Sequence, residues 1–60
     1  MQNYRLYRLD GAGKIANAEW IEAPEDDAAI QEAKLRADSQ SFELWQRNRL
    51  VQRHRADGAA

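Results

Sequence analysis

The chain has no cysteine, one proline, one histidine and three glycines among its 60 residues. Without cysteine there is no disulfide and no thiolate zinc site. A single histidine, His54, leaves little from which to build a metal cage. No apolar run approaches the roughly 20 residues of a membrane span. Met1-Gln2-Asn3-Tyr4 lacks the basic-then-apolar start of a secretory signal. A cytoplasmic protein without membrane association is therefore expected, and the missing cysteine fits that compartment. No charge of one sign dominates either: nine Lys/Arg stand against ten Asp/Glu, for a net charge of −1. A typical nucleic-acid binder is far more basic.

Sixty residues make one domain. A chain this short buries only about 60% of the surface its unfolded form exposes. Small domains often add a disulfide, a metal or a partner subunit. Cysteine for the first is absent and histidine for the second is nearly so, which makes self-association the reinforcement that composition leaves open. What charge there is lies unevenly. Residues 1–40 carry five bases and eight acids, whereas residues 41–60 carry four arginines and two acids. Glu19, Glu22, Glu25, Asp26, Asp27 and Glu32 follow one another with no base between them.

Tyr4 to Leu9 mixes aromatic and aliphatic residues and reads as a strand. Asp10-Gly11-Ala12-Gly13-Lys14 reads as a turn, since glycine takes positive φ at little cost. A second strand follows from Ile15 to Ala23, completing a hairpin. Pro24 suits a helix edge better than a strand. The acids Glu25, Asp26 and Asp27 then favour a helix N-terminus by capping and by the dipole. Ala28 to Ala37 are good helix formers, with Ala29, Ile30, Ala33 and Ala37 in one narrow apolar stripe. Asp38 to Ser41 form the exit loop. Residues Phe42 to His54 could form a helix or one bulged strand, but a hairpin turning at Arg47-Asn48 is preferred. It sets Gln46 opposite Arg49, Trp45 opposite Leu50 and Leu44 opposite Val51.

Each strand carries apolar residues of both parities, and alternation sends neighbours to opposite faces. One short helix covers only one face. The other would show Trp45 and Leu50, one of Trp20 and Ile21, and part of the Tyr4/Tyr7 pair.

Tyr4 to Gly11, Ala18 to Ala23, the acid-started Ala-rich helix, and Glu43-Leu44-Trp45-Gln46 running into Arg49-Leu50-Val51 together carry a resemblance. Over roughly residues 4–53 the chain resembles small uncharacterised bacterial proteins of the domain-of-unknown-function type. The resemblance implies a ββαββ arrangement and brings no catalytic motif. In similar sequences glycine often stands where this chain has Arg47.

Candidate chemistry is sparse. Gly11-Ala12-Gly13-Lys14 echoes the end of a phosphate loop but lacks the earlier glycine, the Ser/Thr after the lysine and the following helix. The acids from Glu22 to Asp27 lack the alternating spacing and glycine of a calcium loop. His54 has no serine or aspartate at a spacing that suggests a catalytic group. Glu19 and Glu22 as paired carboxylates would need a cleft that so small a domain rarely builds.

The expected fold is α+β, an antiparallel sheet of two hairpins with one helix on one face, in the order ββαββ. Residues 1–55 form the domain and 56–60 a flexible tail. The expected function is a non-enzymatic interaction or accessory module without cofactor, metal or small-molecule substrate. It would self-associate as a dimer through an aromatic sheet face bearing Tyr7, Trp20, Trp45 and Leu50. The alternative is weak nucleic-acid binding through the basic hairpin residues Arg47, Arg49, Arg53 and Arg55.

Overall fold

The computed structural model describes residues 1–38 and 40–56. The first hairpin forms from β1 (Gln2–Leu9) and β2 (Ile15–Ala23). Asp10 closes its turn. The Asp10 amide donates to the Lys14 carbonyl (2.8 Å), and its Oδ1 accepts from the amides of Ala12 and Lys14 (2.8 and 2.9 Å). Gly13 sits at φ 84°, where the lack of a Cβ removes the strain. Beyond the turn the pairing steps from Leu9–Ile15 to Arg8–Asn17, so Ala16 has no partner opposite it.

Helix α1 (Asp26–Ala37) follows, then the second hairpin, β3 (Phe42–Gln46) and β4 (Arg49–His54). The sheet order is β2-β1-β3-β4, with every neighbouring pair antiparallel. This is the expected α+β fold in the order ββαββ. The two hairpins join along the β1–β3 seam, where Leu6 lies opposite Leu44.

The helix lies on one face. Ala29, Ala33 and Ala37 are buried there at four-residue spacing, which keeps them on one side of the helix. They meet Tyr4, Leu6, Ile21, Ala23, Phe42 and Leu44 from the sheet, all buried. To the fully buried core the helix thus brings only methyl groups, and the sheet brings the bulk. Ala28, Ile30 and Val51 pack at the border of this core.

The helix begins at the expected acids and ends before the expected exit loop, but its N-terminus lacks the expected cap. Glu25 occupies the N-cap position with extended backbone, but no side chain caps the helix. Asp26 is drawn away by stronger partners. It accepts the Tyr4 hydroxyl at 2.8 Å and two bonds from the Arg49 guanidinium, both at 3.1 Å. A carboxylate gripped by a two-pronged arginine gains more than one bonded to a helix amide. At the other end Asp38 takes φ 44°, and its amide donates to the Lys34 carbonyl.

The second hairpin turns at Arg47-Asn48 as expected, with Gln46 opposite Arg49 and Trp45 opposite Leu50. One expected pair is incorrect. Leu44 faces Gln52, not Val51, because a bulge adds Val51 to β4. The extra residue shifts everything beyond it. It sets Arg53 opposite Glu43, where the two form an ion pair of 3.3 Å, and brings His54 onto Phe42, ring centres 5.4 Å apart. Without the bulge, Arg53 would face Phe42. Of the tail expected from residue 56, Ala56 is described, and its amide donates to the Ser41 hydroxyl at 2.9 Å. The remainder of that tail, 57–60, lies outside the described residues.

Candidate interaction face

Which residues of each hairpin share a face is settled by the β1–β3 seam. Tyr4, Leu6, Ile21 and Leu44 go to the helix side. Their neighbours go to the open side. Trp20 pairs with Arg5, Arg5 with Trp45, and Trp45 with Leu50. The result is one straight row, Trp20–Arg5–Trp45–Leu50, crossing all four strands. Beside it runs a second row, Ala18–Tyr7–Glu43–Arg53. Tyr7, Trp20, Trp45 and Leu50, the four residues singled out from the sequence, therefore lie together. Trp20 is 65% exposed and Leu50 38%, while Tyr7 and Trp45 are half-buried. Of the either-or choices left by the sequence, Trp20 and Tyr7 are outside and Ile21 and Tyr4 are in the core.

Two further residues shape this face. The Arg5 guanidinium stands 4.6 Å above the Trp20 ring and 6.0 Å from the Tyr7 ring. Both distances are within reach of cation–π attraction. Among the described residues Arg5 makes no ion pair. Glu43 accepts the Trp45 indole N–H at 3.0 Å and pairs with Arg53 through its other oxygen. Arg5 could have been found from alternation alone, since it shares parity with Tyr7. Glu43 shares parity with Trp45 in the same way.

The four arginines of the basic hairpin are not brought together. Arg47 occupies the turn tip. Arg49 turns to the helix side and holds Asp26. Arg53 lies on the open face, bound to Glu43. Arg55 follows β4 at the opposite end of the sheet from Arg47. Arg49 and Arg53 thus have carboxylates where a phosphate would have to bind.

The acids also lie differently from a solvated cluster. Glu19 faces the helix side and pairs with Arg8 and, at 3.1 Å, with Arg36. Arg36 also holds Glu32 at 2.8 Å, one helical turn away. Glu32 first, then Glu19, holds the Arg36 proton more firmly than usual. Glu22 has the opposite parity to Glu19, so the two do not form a carboxylate pair. Arg49, and after it the Tyr4 hydroxyl, holds the Asp26 carboxyl below its ordinary range. Asp26 in turn raises the Arg49 guanidinium above its usual value. Burial, then the bond to Asp26, pushes the Tyr4 phenol up.

The other candidates are equally well occupied. The Ala12 and Lys14 amides, which a phosphate would need, already bond Asp10. His54 stacks on Phe42. Among the described residues, no three His, Asp or Glu side chains gather as a metal site would require. No helix among them is long and apolar enough to cross a membrane. Comparison with protein families, with curated proteins and with solved structures finds no match.

Proposed function

We propose that this chain is a small binding module, not an enzyme, and that it acts by self-association through its open sheet face. The observation that carries the reading is the row Trp20–Arg5–Trp45–Leu50, which the helix leaves uncovered. Tryptophan, tyrosine and arginine are the residues most enriched at protein interfaces. A standard interface takes about 800 Å² from each partner. That is about a fifth of the 4273 Å² surface here. A core whose fully buried helix residues are all alanines leaves a dimer much to contribute. We place the module in the cytoplasm, where a chain without cysteine loses nothing to reduction. Its likeness to small uncharacterised bacterial proteins adds no activity to this reading. Nucleic-acid binding is the weaker alternative, because Arg49 and Arg53 are already paired.

Light scattering after size exclusion at micromolar concentration tests it. A dimer is expected, and Trp45→Ala should shift it toward monomer while the circular dichroism spectrum stays folded. A monomer at every concentration overturns the reading. Salt-dependent binding of short single-stranded RNA by that monomer would favour the alternative.

A further inference from the structure

We infer that the two copies meet about a two-fold axis that lies between the stacked sheets, parallel to the strands and over the β1–β3 seam. The inference rests on the self-association reading and names its geometry. Rotation about such an axis keeps each row at its own level along the strands. It lays β2 of one copy over β4 of the other, and β1 over β3. Trp20 then faces the partner's Leu50, and Arg5 faces the partner's Trp45. In the second row, Tyr7 faces the partner's Glu43, and Ala18 faces the partner's Arg53.

Each of these oppositions suits the side chains involved. The largest exposed indole meets a smaller aliphatic group. The phenol meets a carboxylate that can accept a hydrogen bond from it. The smallest residue lies under the longest, where there is room for it. Arg5, already above Trp20 at 4.6 Å, gains a second indole on its other side. A cation between two aromatic faces is held more strongly once water is excluded. Arg5 and Arg53 on each face are balanced by Glu22 and Glu43. No large single-sign field therefore opposes the approach.

A second face-to-face arrangement fails this comparison. An axis running along the row, across the strands, would place every residue of the row on its own copy. Arg5 would meet the partner's Arg5, a like-charge contact in a closing interface. Edge-to-edge pairing through β4 is opposed by its bulge and by the exposed Arg49 and Arg53.

The missing cysteine makes the test clean. Ala18→Cys and Arg53→Cys leave the aromatic row intact and sit on the two outer strands. The two variants are mixed, refolded together and treated with a short bismaleimide that spans the about 10 Å between packed sheets. The expected product is a dimer linked from position 18 to position 53, absent when either variant is treated alone. If light scattering reports a dimer but each variant links to itself as readily, this geometry is overturned and self-association stands. If no dimer is seen, both fall. Arg5→Glu provides a second readout and should weaken the cysteine-free dimer by roughly tenfold or more. An unchanged dissociation constant would remove Arg5 from the interface and overturn the proposed pairing.

Discussion

Arg47 holds the tight turn between β3 and β4 at φ 57°, a region costly for any residue with a Cβ. Its neighbour Asn48, which tolerates that region better, does not enter it. Arg47→Gly should therefore raise stability by about 1 kcal/mol in urea unfolding. An equal gain from Arg47→Ala would defeat the argument, because alanine keeps the Cβ. The Tyr4–Asp26–Arg49 cluster gives a second prediction at this scale. Asp26 has a lowered value in the folded chain, so the unfolded chain takes up its proton first as pH falls. The stabilisation is complete at neutral pH and is lost below about pH 4. Tyr4 is raised, so the unfolded chain loses its proton first as pH rises. That contribution holds up to about pH 10 and declines above it. Melting temperature against pH should show both limbs, with the acid limb shallower in Asp26→Asn and the alkaline limb shallower in Tyr4→Phe. Limbs identical to the parent's would mean that other groups govern them.

Among the elements, β2 is the exposed edge with the least protection of its own. It runs for nine residues without lysine, arginine or proline. The protection comes from the helix. Arg36 reaches over and donates to the Trp20 carbonyl at 3.2 Å while holding Glu19 and Glu32. A guanidinium bonded to an outward carbonyl occupies the site that an added strand would use. Arg36→Ala should cost within about 1 kcal/mol in thermal unfolding, since the ion pairs are partly exposed. Its larger effect should be assemblies beyond those of the parent chain in sedimentation velocity. A folded variant with an unchanged size distribution would end the idea that Arg36 guards this edge. The elements themselves were legible in the sequence. Gly11 and Gly13 marked one turn, Arg47-Asn48 the other, and the alanine spacing marked the buried side of the helix. The bulge at Val51 was not legible. It shows only in the pairing of β4 with β3, where it lets Arg53 meet Glu43 and His54 meet Phe42, and not in the residues of β4 alone.

At the scale of the whole molecule, the sequence left the parity of each hairpin open. Tyr4 or Tyr7, and Trp20 or Ile21, were equally good core residues by composition. The choice is made where β1 meets β3, with Leu6 on Leu44 and Arg5 on Trp45. No local pattern encodes that seam. The same holds for the ion pairs of Arg36, Arg49 and Arg53, whose partners lie on other elements. Tyr7, Trp20, Trp45 and Leu50, expected on one sheet face, do share it. Arg5, at the centre of that face, resembles an ordinary polar position in a strand, and only its pairing with Trp20 and Trp45 sets it apart.

The seam also bears on how quickly the chain finds its shape. Each hairpin closes between near neighbours and can form within microseconds. Arg5 and Trp45 stand forty positions apart, and their strands must meet before the alanine side of the helix has a complete floor to rest on. The entropy of closing that long loop falls on this single encounter. Two quickly formed hairpins followed by one slower docking step is the order of events that the strand sequence β2-β1-β3-β4 implies.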